Sequence, residues 1–224
     1  METSAHSKSH SRSLVLSYLD IRKAIGILGF ILPIILGPIG LLLFGIEIQQ
    51  NMSSYYHTEL RDVFVGVMCS IGVFLFCYRG YDFLEHWTAN LACASSIGVA
   101  LFPLDANSDP LHQSTIAGYL HTLFGGTFFL TLAVFSLYHF PRNTFGVNVK
   151  SLDGKRDAIY KLSGLTILFS MLAMGIYLFL MTDGIKQMFT DLNFLFWMEW
   201  VAVWAFSLAW LTKGHAILAN ILDD

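Results

Sequence analysis

Charge is what this sequence has least of. Charged side chains make up 13% of its 224 residues, 55% are hydrophobic, and the mean hydropathy is +0.59. A soluble domain of this length has no core large enough to hide that share, so a soluble fold is excluded and the apolar residues need lipid. Cysteine is scarce too. Cys69, Cys77 and Cys93 stand inside apolar runs without Cys-x-x-Cys spacing, which excludes a disulfide framework and a thiolate metal site. A basic excess is also missing, with 13 Lys and Arg against 16 Asp and Glu, so nucleic acid is not an expected partner. The Ser- and His-rich first dozen residues lack the apolar core and cleavage site of a signal peptide. Residues 1–21 therefore read as a disordered cytoplasmic tail, and the first helix directs insertion.

What is present lies in the gaps between charges. No charged residue occurs from Ala24 to Ile46, Val63 to Tyr78, Trp87 to Leu104, Pro110 to Pro141 or Leu162 to Thr182, and Glu199 alone interrupts Leu192 to Thr212. A spanning helix needs roughly 20 apolar residues. The expectation is an all-α, polytopic transmembrane bundle of six helices over residues 22–216, with spans near 24–46, 60–80, 87–104, 116–139, 159–182 and 191–212. A cytoplasmic tail is expected over 217–224. Of the 13 Lys and Arg, only Arg61 and Lys186 fall on the side opposite the N-terminus when loops are counted alternately. The positive-inside rule then places both termini in the cytoplasm, in a plasma or inner membrane. The outer face is acidic, carrying Glu47, Glu59, Asp62, Asp105, Asp109, Asp183, Asp191 and Glu199.

Within the spans, Pro33 and Pro38 predict a kinked first helix. The small residues from Ala92 to Ala100 predict close packing around a central third helix. Trp197, Trp200 and Trp204 form one stripe of the sixth helix, which reads as lipid-facing, and Trp210 lies near the inner boundary. Helices two and four both open on Tyr-x-His-Thr, at Tyr55–Thr58 and Tyr119–Thr122, the trace of an internal repeat.

The segment from Asn51 to Asp62 is more polar than a connector requires. By topology it shares the outer side with Asp105, His112, His121 and Glu199. Eight residues from Asp191, Glu199 would stand about 12 Å into the sixth helix, where an acidic residue costs on the order of 2.5–3.5 kcal/mol. It therefore needs a partner, and Arg61 and His121 are the candidates. The ligand-binding set is Ser53, Tyr56, His57, Arg61, Asp105, His121 and Glu199. These point to an outward pocket for a lipid headgroup or small polar ligand, with membrane lipids as partners. The plainer alternative makes Glu199 an interhelical clasp and the His57 region an interfacial anchor. A hydrolase reading takes His57 and His121 as zinc ligands and Asp62 or Glu199 as base, since zinc lowers the pKa of bound water to about 7. A proton-coupled transporter is the third reading, weakened by the lack of a second charge deep in the bundle.

Two families share parts of this pattern. Ser53-x-x-x-His57 followed by Asp62 resembles the first conserved element of the alkaline ceramidase and adiponectin-receptor superfamily. That likeness implies zinc-dependent lipid amidase chemistry, although the superfamily has seven spans and a late His-x-x-x-His pair where this chain has only His215. The six-span layout, the polar loop ending in Arg61-Asp62-Val63-Phe64 and the Glu199-Trp200 pair resemble the DRAM, Frag and Sfk group. That likeness implies lipid-linked roles without established catalytic residues.

Overall fold

A computed structural model describes residues 19–106, 110–142 and 150–222, and these contain helix and loop but no strand. The helices are α1 (Leu19–Phe44), α2 (Arg61–Cys77), α3 (Phe83–Leu101), α4 (Ile116–Arg142), α5 (Lys150–Phe179), α6 (Asp183–Asp191) and α7 (Phe194–Leu222). A 3₁₀ turn, Met52–His57, joins α1 to α2. Four stretches are long and apolar enough to cross a membrane: Leu19–Phe44, Ile116–Arg142, Gly154–Phe179 and Phe194–Gly214. Leu42, Phe83, Ile116 and Leu180 are 75–80% exposed, an outward apolar surface that suits lipid. The 17 residues of α2 reach only about 25 Å at 1.5 Å per residue.

The expected boundaries shift at both ends of the chain. Helix has begun by Leu19, where Leu19 and Arg22 are fully buried, so the expected tail to residue 21 is too long; its first 18 residues lie outside the described ones. α7 runs through Leu222, where a tail from 217 was expected. The short α6 was not expected at all. It lies on the surface with no buried residue, and Lys186 sits over the Tyr177 ring.

The prolines act through a π-helical stretch, Ile35–Ile39, that contains Pro38. A proline removes a backbone donor and crowds the carbonyl four residues back, and a widened turn accommodates both effects. α1 then lies close on α7: a Cβ added at Gly26 would come within 2.7 Å of Leu211 and one at Gly29 within 2.6 Å of Ser207. α3 packs between α2 and α4, and α5 packs on both α4 and α7. Gly98 of α3 lies under the Phe124 ring, and Ser96 donates to the Met68 carbonyl at 2.7 Å. Among the four long apolar helices, α7 is the most enclosed, with 56% of its most apolar stretch buried. The tryptophan stripe accordingly splits. Trp200 and Trp210 belong to the core, while Trp204 is partly exposed, stacks on Phe30 at 4.9 Å and donates to its carbonyl.

At the Leu19 end of the bundle the chain buries charge that sequence reading left without a role. Arg22 and Glu85 are fully buried and Lys213 is 3% exposed. Arg22 donates to the Tyr78 hydroxyl at 3.2 Å, which donates to Glu85 at 2.6 Å; the other Glu85 oxygen accepts from the Tyr81 backbone at 2.9 Å. Lys213 donates to the Phe140 carbonyl at 3.1 Å, between the Phe140 and Tyr160 rings. Removing one partner of a buried charged network leaves the rest uncompensated. Glu85→Ala is therefore expected to lose about 3 kcal/mol of stability, read as a lower unfolding temperature of the detergent-purified protein. An unchanged transition would show that the network contributes nothing.

Candidate functional site

The opposite end of the bundle is built differently, because its centre is left open. α7 starts at Phe194 rather than Asp191, so Glu199 lies only about 7.5 Å into the helix. Its partner is neither Arg61 nor His121. The Glu199 carboxylate accepts from the Met52 backbone N–H at 2.6 Å, and the Phe196 N–H donates to the Gln50 carbonyl at 2.9 Å. The first-turn donors of a helix lack intrahelical acceptors, and here one is satisfied by the connector while a side chain of the same helix satisfies the connector in return. Asn51 fixes the turn from its own side, its side chain accepting from the Ser54 N–H at 2.8 Å and the Ser54 hydroxyl at 3.0 Å.

The expected site residues divide into two groups. Ser53, His121 and Glu199 line one cavity of about 300 Å³, together with Asn51 and Thr122, which the expected set lacked. The rest of its wall is apolar or glycine, drawn from α1, α2, α3, α4, α5, α7 and the α1–α2 and α3–α4 connections. His121 is 5% exposed and its Nδ1 lies 2.6 Å from the Phe102 carbonyl. Thr122 donates to the Pro110 carbonyl at 2.8 Å.

Tyr56, His57, Arg61, Asp62 and Asp105 do not line that cavity. The exposed guanidinium of Arg61 donates to the Tyr56 hydroxyl at 2.8 Å and lies 4.4 Å over its ring. His57 is exposed and its Nε2 lies 2.6 Å from the Leu104 carbonyl. His57 and His121 thus hold two carbonyls of the same connection, Leu104 and Phe102. Asp62 is exposed in the first turn of α2. Among the described residues no group of three His, Cys, Asp or Glu side chains could hold a metal ion. One ring nitrogen of each expected zinc ligand, His57 and His121, faces a backbone carbonyl, and the Glu199 carboxylate accepts from Met52.

No family model matches this chain, and comparison with curated proteins and solved structures found no match.

Asp105 closes the connection over the cavity. Its carboxylate accepts from the Ser114 and Thr115 hydroxyls and both backbone N–H groups, and its own N–H donates to Gln113 at 2.8 Å. Thr115 in turn accepts from the Gly118 N–H at 3.0 Å and caps α4. The Tyr-x-His-Thr repeat does not survive here: Tyr55–Thr58 precedes α2 around a 3₁₀ turn, whereas Tyr119–Thr122 lies inside α4.

Two predictions follow from these bonds. Glu199→Ala strands the Met52 N–H and is expected to cost about 1–3 kcal/mol, whereas Glu199→Gln keeps an acceptor and stays near the parent in thermal unfolding. Equal losses would mean that the negative charge, not the acceptor, holds the turn. At Asp105 the Thr115 hydroxyl, followed by the Ser114 N–H and hydroxyl, lowers the carboxyl from 3.8 to about 2. A lowered folded value adds stability above the unfolded one, so the clamp is complete above about pH 4 and is lost as the pH falls toward 2. The amides of Ser114 and Thr115 should keep their hydrogen-exchange protection factors from about pH 8 to about pH 4. Asp105→Ala should lose that protection throughout the range, and an unchanged pattern would remove the clamp.

Proposed function

We propose that this is a six-span membrane protein with both termini in the cytoplasm, whose outward-facing cavity binds a lipid headgroup or small polar ligand. The observation that carries the reading is the cavity itself: a mostly apolar space whose lining includes a carboxylate, an imidazole, an amide and two hydroxyls. Such a combination, apolar walls with a few placed polar groups, is what a small-molecule site requires. The lysine and arginine asymmetry supports the orientation. The DRAM, Frag and Sfk likeness accords with a lipid-linked role.

Lipid extraction and mass spectrometry of the detergent-purified protein tests this reading. The parent should retain a defined lipid or polar molecule in near-stoichiometric amount, tolerate chelation by EDTA, and lose the molecule in Ser53→Leu, which fills the cavity from its polar end. A parent that carries only bulk lipid in bulk proportions would overturn it.

Proton-coupled transport is a second reading, favoured by one observation. Arg22, Glu85 and Lys213 are buried at the other end of the bundle, so Glu199 is not the one charged side chain inside it. Proteoliposomes loaded with a pH-sensitive dye should then show proton flux that Glu85→Gln abolishes.

A further inference from the structure

The cavity is not closed on all sides. Gly125 and Gly126 of α4 and Gly175 of α5 line it, and so does Phe179, which is 69% exposed on the outer surface. Gly126 is also exposed. A residue that borders the cavity and the lipid-facing surface together marks an opening between them. The glycines have room to spare: a Cβ added at Gly126 or Gly175 meets nothing within 4 Å, and one at Gly125 meets only Val99 at 3.9 Å. Near the other end of the same helix pair the fit is close, a Cβ on Gly164 of α5 falling 2.4 Å from Leu137. α4 and α5 are thus tight at one end and parted at the other, and the parted end is the cavity's wall.

The two ends of the space differ in chemistry. Polar groups gather at Asn51, Ser53, His121 and Glu199, whereas the seam side carries Met171 and Met174, whose unbranched thioethers adapt to a ligand of irregular shape. Among the described residues no Lys or Arg lines the cavity to neutralise an anionic head, while Glu199 supplies acceptor oxygens.

We propose that the cavity is a lateral-entry site for a single-chain amphiphile with a donor head, an ammonium or a hydroxyl. The head lodges at Glu199, Asn51 and Ser53, and the alkyl chain leaves through the seam between Gly126 and Gly175. This rests on the ligand-binding reading above and adds to it the class of ligand and the route. A water-filled site open only at the membrane surface would need no seam in the lipid-facing wall.

The test uses the full chain in phosphatidylcholine nanodiscs and dodecylamine carrying a mid-chain diazirine, with adducts mapped by mass spectrometry after illumination. The expected result is saturable labelling of Met171 and Met174, displaced by dodecylamine and dodecanol and about tenfold more weakly by dodecanoate. Gly126→Leu combined with Gly175→Leu should cut labelling by at least about tenfold, while Gly66→Leu, at an exposed and open position on α2 away from the cavity, leaves it unchanged. Should the double variant fail to fold, Glu199→Gln decides: it keeps the acceptor for Met52 and should erase the preference of amine over dodecanoate. Equal competition by dodecanoate, or undiminished labelling in a folded double variant, overturns the proposal. Displacement by ethylamine as effective as by dodecylamine overturns the chain and its route but leaves the polar-ligand reading standing. Labelling that nothing displaces ends both.

Discussion

The structure of the open end depends on one carboxylate that cannot be left bare. A carboxylate inside an apolar bundle has to be neutralised, hydrated or hydrogen-bonded, and Glu199 meets that need by drawing the α1–α2 connector down until the Met52 N–H reaches it. Backbone that enters lipid depth has its own polar groups to satisfy. Phe196 takes the Gln50 carbonyl, and Asn51 takes the Ser54 N–H and hydroxyl. The connector is therefore locked to α7 by bonds running both ways, and residues 51–53 become one wall of a cavity instead of a loop in water.

The two ends of the bundle answer the same electrostatic problem in opposite ways. At the Leu19 end, Arg22, Glu85 and Lys213 are packed among Tyr78, Phe140, Tyr160 and Trp210. Aromatic faces take the cations, and hydroxyl or backbone groups take what remains. At the Glu199 end the polar groups are fixed by backbone, the centre is empty, and the adaptable methionines and glycines lie on one side.

Much of this was legible in the sequence, and the misses have physical causes. The charge-free runs coincide with α1, α2, α3, α4, α5 and α7, and four of these helices are long and apolar enough to cross a membrane, because a charge in lipid is costly. The boundaries slipped where that logic has exceptions. By charge alone Glu85 and His86 mark the edge of the third helix, yet Glu85 is buried inside its first turn, capped by Asp82. The charged start of α5 falls outside the span expected from sequence because solvated helix and loop share a composition. α6 leaves little periodic signal because Ile185, Met188 and Phe189 cover barely two turns. The site was half legible. Polar residues at one end of the helices could be grouped from topology alone, but a topological group includes both the cavity wall and its outer rim. Periodicity has no means of telling that His121 faces in while His57 faces out. The glycines of the seam carried a signal, three small residues on two facing helices, that reads equally as close packing.

That ambiguity has a physical resolution. In a bilayer the hydrophobic effect does not drive helices together, since lipid tails are as apolar as leucine, so small residues at a helix interface serve either to bring backbones into contact or to leave a gap. The deciding quantity is what a Cβ would meet. At Gly26, Gly98 and Gly164 it meets a neighbour below 3 Å, and those glycines permit contact; at Gly126 and Gly175 it meets nothing, and packing gives no reason for glycine there. An empty, lipid-side gap between two helices is filled by whatever the membrane supplies, and an alkyl chain is the abundant occupant of the right shape. In the proposed site the polar end selects among chains by their heads, and Glu199, already held by Met52, contributes the discrimination that the apolar wall does not.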